Sequence, residues 1–123
     1  MKNDVNYRNE LLTTWEDTYK KGQLTLWIFL ALKDGPKYVN EIRDFILEYS
    51  EGTISCEEQS LYRALRKFNH LKIVGFSSGK GHKGPDRKYY ELTEIGVDIL
   101  SEFISRNIKL FFNKKLVELM NLK

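Results

Sequence analysis

The segment Gly79–Leu92 has the sequence GKGHKGPDRKYYEL, and it distinguishes between two folds. Its first six residues match the dinucleotide-binding fingerprint G-x-G-x-x-G, which works only where a strand leads into the glycines and a helix leads out of them. Here the glycines are followed by Pro85, a turn residue, and then by the alternating aromatic pattern of a strand from Arg87 to Leu92. No helix N-terminus is available for a pyrophosphate. The segment therefore predicts a β-hairpin whose glycines allow positive φ and a close approach to a partner, and no cofactor.

Positive charge is concentrated around this hairpin. The chain has 123 residues, with 20 Lys and Arg against 17 Asp and Glu, a net charge of +3. Residues 60–90 contain eight basic side chains and one acid, Asp86, so this quarter of the chain carries +7 and the remainder −4. Such a concentration is typical of a surface that meets an anion. A charged face exposed only to solvent is the alternative.

Hydrophobic periodicity predicts helices on both sides of the hairpin. The stretch Ser55-Cys-Glu-Glu58 has the spacing of a capping box, which predicts a helix that starts near Cys56. Thr93 is placed to cap the last helix. The predicted elements are helices over 4–20, 24–32, 39–49 and 56–69, strands over 73–78 and 87–92, and a final helix from 94 that either breaks near Asn113 or continues.

This order of elements predicts the fold class. Three helices followed by a two-stranded hairpin are the order of a winged helix-turn-helix. The chain is therefore expected to be α+β and mostly helical, a winged helix-turn-helix with an extra N-terminal helix and a long C-terminal dimerisation helix. We assign residues 1–22 to the N-terminal helix, 23–93 to the winged-helix DNA-binding domain and 94–123 to the dimerisation helix.

The helix predicted over 56–69 has an apolar face and a donor-rich face. At 100° per residue, the apolar stripe that includes Leu61 and Leu65 lies opposite Arg63 and Arg66. Arginine and glutamine are residue types that contact base edges and phosphates in a major groove, and the basic hairpin loop suits the adjacent backbone. The residues predicted to contact DNA are Gln59, Ser60, Tyr62, Arg63, Arg66, Lys67, His70, Lys80, His82, Lys83, Arg87 and Lys88.

Three motifs occur in order along the chain: GPKY at 35–38 with Glu41-Ile42, LYRALR at 61–66, and RKYYELT at 87–93 with Gly96. In these motifs the chain resembles the PadR-type transcriptional regulators, a family of winged-helix repressors, over about residues 24–100, and its length resembles the short subfamily. The resemblance implies a homodimer on an inverted-repeat operator, with the 56–69 helix in the major groove and the 79–86 wing alongside. The chain departs from the family pattern at Val39-Asn40, Glu58-Gln59 and Lys72, where a glycine usually ends the helix.

Two apolar stripes are larger than one small domain is expected to cover. Exposed stripes of this size usually mark an interface, and two recognition helices a helical turn apart require a two-fold dimer. Packing of the first helix against the last within one chain is the alternative. The predicted dimerisation residues are Leu11, Leu12, Trp15, Tyr19, Phe103, Ile104, Ile108, Phe111 and Phe112.

The resemblance also implies an effector site. Some short members of the family bind flat hydrophobic compounds between subunits through aromatic residues, which makes Trp15 and Trp27 candidates for stacking on a small aromatic or hydrophobic molecule. Aromatic residues at helical spacing are more often core residues, and Trp27 lies in the all-apolar segment 24–32.

Other classes of function have little support in the sequence. The chain has no apolar run of membrane-spanning length, no signal peptide and a single cysteine, which predicts a cytoplasmic protein without an internal disulfide. Cys56 at a helix N-terminus is a candidate redox switch, although Glu57 and Glu58 oppose a thiolate there. His70, His82 and Cys56 lack metal-ligand spacing, and no catalytic arrangement points to an enzyme. A winged-helix protein-interaction module is the alternative function.

Overall fold

The structure is a computed structural model that describes residues 2–79 and 86–122. Its elements are α1 (Lys2–Lys20), α2 (Gln23–Lys33), α3 (Val39–Tyr49), α4 (Glu58–His70), β1 (Val74–Gly79), β2 (Arg87–Leu92), α5 (Glu94–Asn107), a 3-10 helix (Lys109–Phe112) and α6 (Lys114–Met120). This order confirms the winged helix-turn-helix with additional helices at both ends. None of the helices in the described ranges is long and apolar enough to cross a membrane.

The core lies between α2, α3, α4, the hairpin and α5. The apolar sequence of α2 places four buried residues there, and each of the other elements contributes a few side chains from a single face. Burial of a large aliphatic side chain stabilises the fold by about 1.5–3 kcal/mol, so this burial holds the helix-turn-helix and the hairpin together. The largest fully buried side chains are Ile28, Ile42, Ile46, Leu61, Leu65 and Val74.

The segment that leads into α3 is bonded to the hairpin. The Lys37 N–H donates to the carbonyl of Tyr90 on β2 (3.0 Å), and the Lys37 carbonyl accepts from the Tyr90 N–H (2.8 Å). The Lys37 ammonium donates to the carbonyl of Ala31 in α2 (2.8 Å) and to the Asp34 carboxylate (2.9 Å). The start of α3 is therefore fixed to both β2 and the end of α2.

The junction between β2 and α5 is closely packed. As predicted, Thr93 caps α5, because its hydroxyl oxygen accepts from the N–H of Gly96 (3.2 Å). The same hydroxyl lies 3.0 Å from the Ile73 carbonyl oxygen, which also accepts from the Thr93 N–H (3.0 Å). A Cβ at Gly96 would overlap that carbonyl oxygen. The close approach, rather than an unusual φ, is what requires a glycine at position 96.

Lys72 ends α4 in the left-handed conformation, with φ at 64°. The turn is closed by hydrogen bonds from the Ile73 N–H to the Phe68 carbonyl (2.9 Å) and from the Lys72 N–H to the Asn69 carbonyl (3.0 Å). A residue with a Cβ is strained in this conformation and glycine is not. This geometry accounts for the glycine that the resemblance led us to expect at this position.

The predicted start of the recognition helix was wrong. α4 begins at Glu58 with Glu57 as its N-cap residue, and no side-chain hydrogen bond caps it, so the Ser55 capping box does not form. Ile54 and Cys56 both pack against the core while Ser55 between them is exposed. This alternation is that of an extended segment, and it delays the helix by about one half-turn.

The C-terminal segment is not one long helix. α5 ends at Asn107, whose side-chain amide donates to the carbonyl of Phe103 (3.0 Å) and competes with the helical hydrogen bonds there. The 3-10 helix follows, and Asn113 then caps α6 by accepting from the Lys115 N–H (2.9 Å). Asn113 thus marks a break as the sequence indicated, but the α-helix ends six residues earlier.

Candidate nucleic-acid interface

The exposed face of α4 is as predicted from its periodicity. Leu61 and Leu65 are fully buried, and Ala64 and Phe68 are half-buried beside them. The opposite face is exposed and consists of Gln59, Arg63, Arg66 and His70. A shallow depression of about 290 Å³ lies among Gln59, Tyr62, Arg63 and Arg66. The structure therefore places four of the predicted DNA-contacting residues side by side on solvent-accessible surface.

A larger cleft separates α4 from the hairpin. This wing cleft has a volume of about 480 Å³ and brings together residues that are distant in the sequence. Four of its lining residues, Tyr62, Arg66, Arg87 and Lys88, were predicted to contact DNA. The recognition helix and the base of the wing thus share one concave, cationic surface.

Lys67 and Ser60, also predicted to contact DNA, do not line this cleft. Lys67 is exposed on the last turns of α4, and Ser60 is half-buried near its start. The wing-tip residues Lys80, His82 and Lys83 fall outside the described residues.

Each cation at the base of the wing lies on an aromatic ring. The guanidinium carbon of Arg87 is 4.3 Å from the centroid of the Tyr38 ring. The ammonium of Lys88 is 4.5 Å from the centroid of the Phe76 ring. The electron-rich face of an aromatic ring attracts a cation at these distances. Both positive groups are therefore held by the protein at the wing cleft.

Two acids and a phenol also line the wing cleft. Glu58 and Asp86 line it, and Glu58 is 3.9 Å from the Arg43 guanidinium on its other side. Burial raises the pKa of Tyr90, Tyr62 acts in the same direction, and the charge of Arg66 opposes both. The Tyr90 phenol is therefore neutral near pH 7. The three cations of the cleft, Arg66, Arg87 and Lys88, outnumber its two carboxylates by one.

Sequence reasoning missed most of the other residues that line the wing cleft, four of which help to shape it. Tyr38 and Asn40 come from the start of α3, Asn69 from α4 and Phe76 from β1. The side-chain amide of Asn69 donates to the Val74 carbonyl (3.0 Å), which ties α4 to β1. The GPKY motif pointed to Tyr38, but only the pairing of Lys37 with β2 reveals that Tyr38 faces the wing.

Cys56 does not lie in the first turn of the recognition helix, because α4 begins two residues after it. Its side chain is half-buried, and this burial raises the pKa of the thiol, with the charge of Arg43 opposing the effect. The thiolate, which is the oxidisable form, is disfavoured at this position. The helix N-terminus that we expected to activate Cys56 is therefore not adjacent to it.

The apolar stripe on α1 is uncovered. Every residue from 4 to 19 is exposed, and Trp15 keeps 72% of its surface accessible. The alternative of packing against the last helix within one chain is therefore wrong for this face. In the C-terminal segment Phe103, Phe111 and Phe112 are exposed, while Ile104 and Ile108 are half-buried. The members of the two predicted stripes thus remain largely accessible to a partner.

Trp27 and an apolar cavity lie nearer to the core. Trp27 is half-buried and packs against the core cluster, unlike Trp15. A cavity of about 260 Å³ between α2, α4 and α5 is lined by apolar residues that include Phe29, Phe68 and Phe103. Trp27 is not among the residues that line this cavity.

Comparison with known proteins identifies relatives for most of the chain. A sequence model described as the transcriptional regulator PadR-like family matches residues 28–102. A PadR-like transcription factor from Bacteroides fragilis is 27% identical, with a TM-score of 0.63, over 79% of this chain and 91% of that one.

Two further structures resemble the fold. A PadR-like transcriptional regulator from Bacillus cereus is 22% identical, with a TM-score of 0.66, over 86% of this chain and 99% of that one. Bacillus subtilis PadR, whose structure is a complex with operator DNA, is 20% identical with a TM-score of 0.61. That match covers 68% of this chain but only 46% of the Bacillus subtilis protein.

Proposed function

This chain belongs to the PadR-like family of transcriptional regulators, and from that premise we propose that it binds operator DNA as a homodimer and represses transcription. The observation that carries the proposal is the shared cationic surface of α4 and the wing, where Arg66, Arg87 and Lys88 line one cleft. The complex of Bacillus subtilis PadR with operator DNA supports this function for a chain of the same fold.

In the proposed complex α4 lies in the major groove. Arg63 and Arg66 are long, exposed donors that suit guanine edges, and Gln59 suits adenine. Tyr62, Ser60, Lys67 and His70 bind phosphates or flank the bases, and the wing residues Lys80, His82, Lys83, Arg87 and Lys88 contact the adjacent backbone. The base contacts supply specificity, whereas the phosphate contacts supply most of the affinity.

A two-fold dimer determines the form of the operator. Two copies of α4 related by a two-fold axis recognise an inverted repeat with half-sites about one helical turn apart. A protein bound there blocks the same DNA to other proteins, which is the basis of the proposed repression. This role requires the compartment that holds the genome, so we also propose a cytoplasmic location.

The test of DNA binding is a salt titration. A fluorescent duplex of random sequence, about 30 base pairs long, is titrated with purified protein at about 50 and about 200 mM salt. We expect the affinity to fall by a factor on the order of 1,000 from the lower to the higher salt concentration. Binding through about six phosphate contacts releases about six counterions, and this release is opposed by added salt. Failure of a folded protein to bind at low salt would contradict the proposal and favour the protein-interaction module.

The proposed dimer is tested at Trp15. A charge in the middle of the α1 stripe (Trp15→Glu) is expected to weaken dimerisation at least about thirtyfold, since a central tryptophan in an interface contributes about 2 kcal/mol or more. Sedimentation velocity over a dilution series measures the change. Thr13→Glu introduces the same charge on the opposite face of α1 and serves as the control. An unchanged dimer in Trp15→Glu would show that α1 is not the interface.

We further propose that a small aromatic or hydrophobic effector stacks on Trp15 rather than on Trp27. Trp15 is exposed on the proposed interface, whereas the half-buried Trp27 packs against the core. An effector between subunits would therefore meet Trp15 first, and it would alter the spacing of the two recognition helices.

A further inference from the structure

Tyr38 connects the helix-turn-helix to the wing through its ring. The Arg87 guanidinium carbon lies 4.3 Å from the ring centroid, and the Tyr89 ring meets the same ring edge-on at a centroid distance of 5.7 Å and an angle of 83°. Tyr38 is half-buried and precedes α3, while Arg87 and Tyr89 belong to β2. One ring from outside the hairpin thus contacts two alternate residues of β2.

The backbone that carries the Tyr38 ring is held on both sides. Its own N–H donates to the Glu41 carboxylate (3.1 Å) in the first turn of α3. Its neighbour Lys37 exchanges two hydrogen bonds with Tyr90. The backbone that carries the ring is therefore held next to the hairpin, and the Tyr89 ring packs against the Tyr38 ring itself.

Gly79 contributes to the same arrangement. It pairs with Arg87 across the hairpin, and a Cβ built on it would approach the Tyr89 ring to 2.6 Å. The Tyr89 ring thus covers the first glycine of GKGHKG, and a side chain at this position would have to displace that ring. Tyr89, seated on this glycine, in turn supports the edge of Tyr38.

Arg87 is the residue that gains most from such support. It is the first residue of β2 and lines the wing cleft together with Arg66 and Lys88. An arginine side chain has several rotatable bonds, and ordering it costs conformational entropy when it binds. A guanidinium already held on a ring has lost part of that entropy before the partner arrives.

We propose that Tyr38 is a positioning residue for DNA recognition, whose ring holds the Arg87 guanidinium at the mouth of the wing cleft in the orientation that binds a phosphate. This proposal rests on the proposed function. Tyr38 itself contributes no charge to the phosphate contact. Its removal therefore weakens binding without changing the number of counterions released, whereas the removal of Arg87 changes both.

The experiment is a double-mutant cycle with Tyr38→Leu and Arg87→Ala, measured with the random-sequence duplex at several salt concentrations. We expect Tyr38→Leu to raise the Kd about two- to fivefold, which is the effect of an exposed cation–π contact. The salt slope, that is, the slope of the logarithm of the affinity against the logarithm of the salt concentration, should stay unchanged. Arg87→Ala is expected to reduce the slope by about 1 for each phosphate that the arginine neutralises in the wild type. In the Arg87→Ala background, Tyr38→Leu should have no further effect, and Tyr38→Phe should bind like the wild type.

Three results would overturn the proposal while the wild type still binds DNA: an equal decrease in affinity from Tyr38→Leu in both backgrounds, a reduced salt slope in Tyr38→Leu, or weaker binding by Tyr38→Phe. If Tyr38→Leu does not fold, the proposal can still be tested on the wild type by nuclear magnetic resonance. Absence of nuclear Overhauser effects between the Arg87 δ-protons and the Tyr38 ring would then overturn the proposal. A wild type that does not bind the duplex at any salt concentration would instead contradict the proposed function itself.

Discussion

Simultaneous replacement of Arg63 and Arg66 by alanine is expected to weaken duplex binding at least about thirtyfold, since each arginine that contacts DNA contributes about 1–3 kcal/mol. Both side chains are exposed and border the same depression on α4, so their removal leaves the core untouched. The fold and its melting temperature are therefore expected to stay the same while binding is abolished or greatly weakened. Fluorescence anisotropy and thermal melting of the same sample measure the two effects.

The control for this variant removes equal charge elsewhere. Lys114 and Lys115 are both exposed on α6, and their replacement by alanine lowers the net charge by the same amount. We expect this control to bind nearly as tightly as the wild type. If both double variants bound equally weakly, the binding would depend on net charge and α4 would not be the recognition helix.

Replacement of Gly96 by alanine is expected to destabilise the protein by about 3 kcal/mol, the upper end of the usual cost of overpacking. The added Cβ overlaps the Ile73 carbonyl oxygen, which is held by hydrogen bonds from Thr93 at the junction of β1, β2 and α5. The gain in helix propensity from glycine to alanine, about 1 kcal/mol, opposes this cost but does not cancel it. The melting temperature should fall by roughly 10 °C.

Gly75 provides the control for this prediction. It lies in β1 near the same junction, and a Cβ there would meet only the Thr93 methyl group, at an ordinary 3.8 Å. Gly75→Ala is therefore expected to melt within a few degrees of the wild type. Equal melting temperatures for Gly96→Ala and the wild type would mean that the backbone at the β2–α5 junction shifts easily, contrary to the close packing described above.

The sequence predicted the local structure well wherever one element decides it. The inward stripe of Leu61 and Leu65 followed from helical periodicity, and the Thr93 cap followed from residue type. The capping box at Ser55 was wrong because the half-buried Ile54 and Cys56 keep the chain extended there. Local spacing cannot reveal that a neighbouring residue is drawn into the core.

The candidate site was predicted only in part, for a similar reason. The exposed face of α4 is a property of one helix, and its charge is visible in the sequence. The wing cleft depends on contacts between residues about 50 positions apart, such as Tyr38 with Arg87 and Tyr89. Gly79 differs from what was expected of the loop glycines, since its φ is not positive and the Tyr89 ring covers it.

The uncovered helix α1 links the folding of this protein to its abundance. Helices in proteins gain most of their stability from the packing of an amphipathic face rather than from helix propensity, and residues 4–19 of α1 are exposed throughout. With a second copy as the cover, α1 would gain its stability from assembly, and its helix content would rise with protein concentration. Dilution would then melt α1 before it affected the core. A regulator built in this way would have a concentration threshold below which its two recognition helices act independently.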